Sequence, residues 1–442
     1  KLNTDKKGAA FIRRFRPTRS ELGKFDPAAL FEFEKERIIV YEVDPEASCL
    51  VESDEDPPHD LNSEAVDIVL QGAYLLNSNA VDEIHVMRKI VIDGSNTCGF
   101  QRTCILATGG SLQSDRKEIP IQNISLEEDA ARKIREEKHE ITYRLDRLGI
   151  PLIEIATAPV ISTPKEAEKV ALKIGNILKR TSKVRRGIGT IRQDLNVSIK
   201  TGALTEIKGV QELDIISKVV EYEALRQLNL LKIRDEMKER KISIKDLDLN
   251  FVNVTDIFKE TENNVLKKAA VSDGVILAIP LKKMSGLFKR ELVPKLRFGT
   301  ELSDRAKFFG RVGGIFHTDE MPSYGITSKE VILLKEKLDL THVDGAIIVA
   351  DSLQRAEKAL TAVLERLKVA LEGVPSETRV SRQDGSTRFM RPRPGAARLY
   401  PETDVPPLLV SKDWQTKAKN NLPPPREEIV SSLIQNYGIK ID

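Results

Sequence analysis

Acidic residues between positions 124 and 157 are the part of this sequence best suited to chemistry. Glu127 and Glu128 stand together in the run Ser-Leu-Glu-Glu-Asp-Ala-Ala, and Glu154 interrupts the apolar run Ile-Pro-Leu-Ile-Glu-Ile-Ala. That second run is typical of a buried strand, where a bare carboxylate is strongly unfavourable. We therefore expect Glu154 to be paired, hydrogen-bonded or bound to a metal ion.

A divalent cation between the two acidic segments would satisfy both of them. Mg²⁺ prefers oxygen ligands, usually one or two carboxylates together with waters and substrate phosphates. Glu128 and Glu154 fit this need, and Glu127 is a third candidate ligand. One of the adjacent glutamates would bind the metal while the other supports it or faces solvent. Asp194, on a strand-like run, is a further candidate catalytic acid.

Each acid also has a structural alternative. The two adjacent glutamates fit the first turn of a helix, where acids complement the helix dipole. Glu154 fits a buried ion pair with Arg144 or Arg147. Asp194 fits a local turn or an ion pair.

Basic residues offer possible phosphate contacts in three places. Lys208 lies two residues after Glu206 on a strand-like run, so the two side chains are expected on the same face. There they form an ion pair or face a nucleotide. Arginines cluster between positions 378 and 398, and lysines and arginines cluster at positions 179–186. Either cluster suits the phosphates of RNA or a nucleotide. The alternative is a solvated face and a helix end whose charge complements the dipole.

Several catalytic classes have no motif in this sequence. It holds no GxxxxGK[ST] loop, no GxGxxG, no HExxH and no GxSxG, and its five histidines lack metal-ligand spacing. The enzyme options that remain are carboxylate-centred metal chemistry or none.

The elements that must position these residues are predicted as mixed helices and strands. Helices are predicted over 62–79, with Asn62 as the N-cap, from Thr163-Pro164 onward, and over 212–238. Residues 187–201 and 204–210 are predicted as strands. We predict an α+β fold with mixed or antiparallel sheets, an inserted α/β module and the start of a C-terminal helical region.

Shifts in composition divide the sequence into four predicted segments. A first part covers 1–280, and a compact inserted module covers 281–372. A return segment covers 373–420, and 421–442 is a linker with the start of a helix from 426 to 441. Since so short a helix is marginal alone, we expect a further C-terminal region.

Composition and cysteine usage indicate a cytoplasmic protein. The 442 residues suffice for two or three domains, and the net charge of +3 does not by itself mark a nucleic-acid binder. No apolar run is long enough for a membrane helix, and no signal peptide opens the sequence. Cys49, Cys98 and Cys104 form no CxxC pair, which fits a reducing compartment.

Five stretches resemble the archaeal E subunit of glutamyl-tRNA(Gln) amidotransferase and, more distantly, the bacterial B subunit. They are 88–103, 126–133, 143–155, 191–198 and 391–404, and as a set they are highly specific. Residues 287–367 also resemble the insertion domain of bacterial-type aspartyl-tRNA synthetases, through Phe-Lys-Arg-Glu-Leu and Gly-Gly-Ile-Phe-His-Thr-Asp-Glu-Met-Pro-Ser-Tyr-Gly. The E subunit has that insertion and the B subunit lacks it, which favours the E subunit.

The resemblance implies an enzyme that acts on misacylated Glu-tRNA(Gln). ATP phosphorylates the glutamate side chain, and ammonia then displaces phosphate to give Gln-tRNA(Gln). The first part and the return segment would form a catalytic cradle domain with Mg²⁺ on Glu128 and Glu154. Arg391, Arg393 and Arg398 are the candidate contacts to ATP or tRNA phosphates.

The resemblance also implies partners. The family receives ammonia from a separate asparaginase-like protein, the D subunit of the amidotransferase, and we expect a heterotetramer with no membrane attachment. The alternative is a non-catalytic tRNA-binding protein on the same scaffold. A pure binding module has no need of Glu154 inside a buried strand, so this residue favours the enzyme.

The sequence departs from the family pattern at its start. The family's Gly-Leu-Glu-Ile-His segment, which supplies a metal-binding histidine and a nearby glutamate, has no counterpart here, and Lys1-Leu2-Asn3-Thr4 resembles the residues that follow it. We expect the metal shell formed by the residues present to be incomplete. Either further segments lie outside this sequence, or the protein is truncated and inactive.

Overall fold

The computed structural model describes residues 8–17, 19, 23–34, 36–115, 117–137, 139–187, 189–272, 274–395 and 399–438. Its strands, in chain order, are β1 (Ala10–Arg14), β2 (Ile38–Glu42), β3 (Asn79–Ala80), β4 (Glu83–Ile84), β5 (Met87–Ile90), β6 (Phe100–Thr108), β7 (Ser111–Gln113), β8 (Glu118–Glu128), β9 (Arg132–Glu136), β10 (Glu140–Arg144), β11 (Pro151–Thr157), β12 (Gln193–Val197), β13 (Thr205–Val210), β14 (Val252–Asn253), β15 (Val275–Leu281), β16 (Glu291–Val293), β17 (Leu296–Arg297), β18 (Phe316–His317), β19 (Gly345–Asp351), β20 (Glu377–Ser381), β21 (Thr387–Pro392), β22 (Leu399–Pro401) and β23 (Leu408–Leu409).

The α-helices alternate with these strands along the chain. They are α1 (Pro27–Phe33), α2 (Ser63–Leu75), α3 (Pro164–Arg180), α4 (Leu213–Glu239), α5 (Asn264–Val271), α6 (Phe298–Gly310), α7 (Ser328–Lys337), α8 (Leu353–Glu372), α9 (Lys412–Asn420) and α10 (Arg426–Tyr437). The predicted α+β class is confirmed. The chain forms two compact units, residues 1–191 with 392–442 and residues 192–391.

The first unit is built around a sheet of seven strands. Its main order is β11-β8-β6-β5-β22, with β3 paired to β6 and β7 paired to β8, and the pairs are antiparallel. Helices α2, α3 and α9 contribute apolar side chains to one core together with Leu106, Ile124 and Leu126 of the sheet. We call this side of the sheet the helix-covered face. A smaller sheet, β1-β2-β10-β9, belongs to the same unit.

Side-chain caps define where the two long helices of this unit begin. Asn62 accepts a hydrogen bond from the Ala65 amide at 2.8 Å, and α2 starts at the next residue, as predicted. Thr163 caps α3 in the same way and Pro164 occupies its first turn, also as predicted. Both helices then present an apolar stripe to the sheet.

The second unit holds two four-stranded sheets, β12-β13-β20-β21 and β14-β15-β19-β18. The predicted strand over 187–201 covers only Gln193–Val197. Gly187 and Gly189 have φ angles of 125° and 77°, which no strand residue adopts, so the ladder starts after them. A core of Leu, Ile, Val and Phe side chains joins α4, α6 and α8 to β15 and β19.

A buried ion cluster lies at the centre of the second unit. Glu301 of α6 accepts hydrogen bonds from Arg226 of α4 at 2.9 Å and from Arg366 of α8 at 2.6 Å. Glu377 of β20 pairs with Arg379, and all five side chains are essentially inaccessible to solvent. The pKa of the Glu301 carboxyl lies well below its usual range, because Arg226, Arg366 and Arg379 outweigh the opposing effect of burial.

The predicted inserted module shares its sheet with earlier residues. β14 and β15, which begin at Val252 and Val275, pair with one another, and β15 also pairs with β19. The sheet therefore includes residues before position 281. The predicted boundaries at 280, 372 and 420 describe functional domains and stay predictions. Among the described helices, none combines the length and apolarity that a bilayer crossing requires.

Candidate active site

Glu127 and Glu154 lie on the same face of neighbouring strands. In the antiparallel register, Glu154 of β11 pairs with Ser125 of β8, and Leu152 pairs with Glu127. Since side chains alternate along a strand, Ser125, Glu127 and Glu154 share the face opposite to the helix-covered one. The carboxyl groups of Glu127 and Glu154 interact, and the contact with Glu154 helps to lower the pKa of Glu127. The two acidic segments predicted to meet are thus adjacent in the structure.

Glu127 is held by three further side chains. Its Oε1 accepts hydrogen bonds from Lys89 Nζ at 2.8 Å and Thr103 Oγ1 at 3.1 Å, and its Oε2 accepts one from Gln101 Nε2 at 3.3 Å. Burial opposes ionisation of this carboxyl. The positive charge of Lys89 and the hydrogen bonds from Lys89, Glu154 and Thr103 outweigh burial, so the pKa of Glu127 lies below its usual range.

Glu154 is exposed, so the expectation of a glutamate inside a buried strand is wrong. β11 is an edge strand of the sheet. Ile153 and Ile155 pack against the core of the helix-covered face, while Glu154 points to the other side. The predicted alternative partners are engaged elsewhere, because Arg144 pairs with Glu42 at 2.6 Å and Arg147 with Asp129 at 3.0 Å.

Glu128 lies on the helix-covered side, so its geometry differs from the predicted pairing with Glu154. The alternative in which a helix begins at the two adjacent glutamates is wrong, because β8 continues to Glu128. Side chains alternate along a strand, so those of Glu127 and Glu128 lie on opposite faces. Glu128 pairs with Pro151 across the strands and accepts a hydrogen bond from Arg102 Nη1 at 3.4 Å. Arg102 Nε also donates to Glu402 at 3.0 Å.

In the second unit, Lys208 lies between two carboxylates. Its Nζ is 2.8 Å from Asp194 Oδ2 and 3.1 Å from Glu206 Oε1, which confirms the predicted ion pair with Glu206. Glu206 also accepts a hydrogen bond from Thr378 at 2.8 Å. Burial lowers the pKa of Lys208, but the two carboxylates together outweigh burial, so the net pKa is raised. The nearby Arg391 helps to lower the pKa of Glu206.

The predicted arginine contacts differ in accessibility. Arg391 is buried, and its Nε has no hydrogen-bond partner in the part of the chain that the structure describes. Arg393 is exposed, and Arg398 lies outside the described residues. Arg379, which belongs to the same arginine-rich stretch, is fully buried in the ion cluster of the second unit, so it does not offer a surface contact to RNA.

The acid pair provides oxygen ligands of the type that Mg²⁺ prefers. Two ionised carboxylates in contact repel one another, and a hydrogen bond between them requires that one keep a proton. A divalent cation in place of that proton would relieve the repulsion. Within the described ranges, no group of three or more histidine, cysteine, aspartate or glutamate side chains is arranged to hold a metal ion. Among the described residues, the pair alone would hold the ion, and waters or substrate oxygens could complete its shell.

Sequence reasoning missed the groups that hold the predicted acids. Lys89, Gln101 and Thr103 fall within the stretch 88–103 that resembles the E subunit, and the last two alternate along β6 on the face of Glu127. Strand alternation was therefore a usable signal for Gln101 and Thr103. Glu402 carried no local signal, because it reaches Arg102 from 300 positions away in the sequence.

Comparisons with known proteins cover almost the entire chain. The family model of the GatB/GatE catalytic domain matches residues 41–416. The E subunit of glutamyl-tRNA(Gln) amidotransferase from Aeropyrum pernix is 54% identical over 431 residues, which are 97% of this chain and 67% of that protein. The proteins of the same name from Pyrococcus abyssi and Methanocaldococcus jannaschii are 52% and 50% identical, over 99% of this chain and 69% of each relative.

These matches cover enough of the chain to identify the family to which it belongs. The chain spans about two thirds of the length of each of these relatives. The predicted resemblance to the archaeal E subunit is confirmed, and the chain belongs to the GatB/GatE catalytic domain family.

Proposed function

We propose that the chain is the catalytic part of a tRNA-dependent amidotransferase that converts Glu-tRNA(Gln) to Gln-tRNA(Gln). ATP phosphorylates the side-chain carboxyl of the tRNA-bound glutamate, and ammonia displaces the phosphate to form the amide. The observation that carries the proposal is the pair of Glu127 and Glu154, whose carboxyl groups interact on one face of the sheet. The names of the relatives support the substrate.

Glu127 and Glu154 are the residues that would hold Mg²⁺. When bound, Mg²⁺ supplies positive charge against the phosphate oxygens and the carboxylate under attack. Glu127 is already ionised in this environment, because Lys89 keeps its pKa low. Thr103 and Lys89 fix its orientation from the neighbouring strands. Phosphoryl transfer depends mainly on alignment and charge neutralisation, so a pair of acids positioned by two paired strands suits it.

We assign Glu127 rather than Glu128 as the metal ligand beside Glu154. Its contact with Arg102 and its position on the helix-covered side favour Glu127 as the partner of Glu154. A role for Glu128 as a metal ligand stays a prediction, and the variants described below compare the two glutamates directly.

Asp194, Lys208 and Arg391 form the basic and acidic cluster that we assign to the nucleotide. Lys208 keeps its charge because Asp194 and Glu206 raise its pKa. Its ammonium group could exchange one carboxylate for a phosphate oxygen without a change in protonation. Arg391 and the exposed Arg393 are candidate contacts to ATP or to the tRNA backbone.

The reaction requires partners. The sequence holds no GxSxG motif or other recognised hydrolase nucleophile to release ammonia from an amide. We therefore propose an asparaginase-like ammonia-supplying partner, the D subunit of the amidotransferase, in a heterotetramer. Since the substrate is an aminoacyl-tRNA used in translation, the proposed location is the cytoplasm.

ATP hydrolysis that depends on both Glu-tRNA(Gln) and Mg²⁺ tests the function. We expect ADP release with Glu-tRNA(Gln) and none with Gln-tRNA(Gln), and conversion to the glutaminyl ester on addition of ammonium chloride. Binding of Glu-tRNA(Gln) without any ADP release would favour the alternative, a non-catalytic tRNA-binding protein. The contact between the exposed Glu154 and the buried Glu127 argues against that alternative, because a pure binding module has no need of two carboxylates side by side.

A further inference from the structure

The segment at positions 179–186 of the first unit concentrates positive charge. It begins in the last turn of α3 and continues beyond the end of that helix. It carries no acid, and its cations are Lys179, Arg180, Lys183, Arg185 and Arg186. The structure separates those cations that have structural partners from those that remain open to solvent.

Two of these cations hold neighbouring parts of the unit. Arg180 Nε donates to the carbonyl oxygens of Pro423 at 3.1 Å and Pro424 at 2.9 Å, so it ties the segment after α9 to the end of α3. Arg180 and Pro423 are 243 positions apart in the sequence. Lys183 Nζ lies 3.7 Å from Glu64 Oε1, in the first turn of α2. The guanidinium of Arg180 is therefore engaged by the protein itself.

The other three cations are exposed. In the part of the chain that the structure describes, Lys179, Arg185 and Arg186 have neither an ion pair nor a side-chain hydrogen bond. Lys179 complements the dipole of α3, but this effect is confined to the last turn. Arg185 and Arg186 lie beyond the helix, so the dipole does not account for them. Adjacent exposed charges of one sign attract an anionic partner.

Helix α9 brings a further cation to the same side of α2. Lys419 is exposed, and its Nζ lies 4.9 Å from the centroid of the Tyr74 ring. Tyr74 belongs to α2, and two residues earlier Gly72 lies beside the Leu178 side chain of α3. Lys419 and Lys179 thus flank one stretch of α2. We call Lys179, Arg185, Arg186 and Lys419 the basic surface.

We propose that the basic surface binds the sugar–phosphate backbone of the tRNA. The inference rests on the proposed function, which identifies the RNA. A nucleic acid presents a row of phosphates, so separate exposed cations can each neutralise one of them. A free nucleotide is bound in a concave site that encloses most of its surface, whereas these four side chains are exposed. Backbone contacts position the RNA and carry no sequence information.

The salt dependence of tRNA binding tests the proposal. Filter binding of tRNA(Gln) to the whole protein is measured between about 50 and 200 mM salt, a range in which phosphate contacts change the affinity strongly. Lys179→Ala, Arg185→Ala and Arg186→Ala should each reduce the slope of log K against log salt concentration by about one phosphate contact, and the triple variant by about three.

The matched control is Lys165→Ala, at the opposite end of α3, where Lys165 pairs with Glu168 at 3.1 Å. Its slope should equal that of wild type. All these side chains are exposed, so the unfolding midpoints should stay at the wild-type value. A triple variant that keeps the wild-type slope would overturn the proposal. Loss of binding to the ammonia-supplying partner at an unchanged slope would assign the surface to a protein and would overturn it as well.

Chemical footprinting of the unaltered protein gives a second measurement. With tRNA(Gln) at about ten times its Kd, acetylation of Lys179 and Lys419 should slow by about 10-fold, because only the free protein reacts. Lys165 should react at the same rate with and without tRNA. ATP alone should protect neither Lys179 nor Lys419, and protection by ATP would contradict a backbone site.

The outcomes for the basic surface and for the proposed function are separate. A protein whose Lys179 and Lys419 are protected by tRNA(Gln), but which hydrolyses no ATP, contradicts the proposed function and supports the basic surface. Normal turnover of Glu-tRNA(Gln) without protection of these lysines contradicts the basic surface alone.

Discussion

Glu127 and Glu128 are adjacent in the sequence, yet their side chains lie on opposite faces of the central sheet of the first unit. Glu127 contacts Lys89 and Glu154 on one side, and Glu128 contacts Arg102 on the other. One strand end thus serves two environments, an acid pair suited to a divalent cation and an ion pair with Arg102, which also contacts Glu402.

Substitutions to glutamine should distinguish the roles of Glu127 and Glu128. Glu127→Gln and Glu154→Gln should each lower ATP hydrolysis dependent on Glu-tRNA(Gln) by about 100-fold, equivalent to about 2.7 kcal/mol. The loss follows from removing one of two anionic ligands. Glu128→Gln should stay within about 10-fold of wild type. Filter binding should show nearly unchanged tRNA affinity in all three variants.

The matched control for these variants is Glu118→Gln, at the opposite end of β8. The pairing that we propose would be contradicted if Glu128→Gln abolished turnover while Glu127→Gln remained active. That outcome would restore Glu128 as the ligand beside Glu154.

Lys89 should set the lower pH limit of activity. Its charge lowers the pKa of Glu127, and a carboxylate must be ionised to bind a metal ion. Lys89→Met removes that charge, so the pKa of Glu127 should rise and the acidic limb of the kcat/KM profile should move up by about one pH unit. Lys89→Arg keeps the charge and serves as the control. An unmoved limb in Lys89→Met would mean that Glu127 does not govern this ionisation.

The buried ion cluster should dominate the stability of the second unit. Glu301→Gln leaves Arg226 and Arg366 without their shared carboxylate in a site that excludes water. The expected loss is on the order of 3–5 kcal/mol in the free energy of unfolding, measured by denaturant titration. Glu365→Gln, which breaks an exposed pair with Lys368 on the same helix as Arg366, should cost less than about 1 kcal/mol. Similar losses for both variants would contradict the special role of burial.

The same cluster predicts a loss of stability in acid. The pKa values of Glu301 and Glu377 are lowered in the folded protein, so the unfolded state binds more protons as the pH falls. Their contribution is fully present above the unfolded glutamate pKa of about 4.3 and is lost progressively below it. A pH series of unfolding midpoints should therefore fall below that pH in wild type and fall less steeply in Glu301→Gln.

The salt dependence of tRNA binding should show whether the exposed Arg393 contacts the tRNA. Arg393 is exposed, so Arg393→Ala should reduce the slope of log K for tRNA binding against log salt concentration by about one phosphate contact. Arg355 of α8, which pairs with Asp351, provides the control substitution to alanine. An unchanged slope in Arg393→Ala would remove this arginine from the tRNA contacts.

Local patterns predicted much of the scaffold. The caps at Asn62 and Thr163, the apolar stripe of α3 and the strand over 205–210 follow from short-range geometry. The same local reasoning left a helix start at Glu127 as an open alternative, because acids at a helix start and acids at a strand end look alike over a few residues.

The sequence by itself determined the family and the α+β class and singled out Glu127, Glu128 and Glu154 as candidates, because these depend on residue types and on short-range periodicity. Only the tertiary structure decided that Glu154 stands on an edge strand and that Glu127, not Glu128, lies beside it. The register between β8 and β11 determines which glutamate lies beside Glu154, since a shift of one residue would reverse the faces of all side chains on a strand.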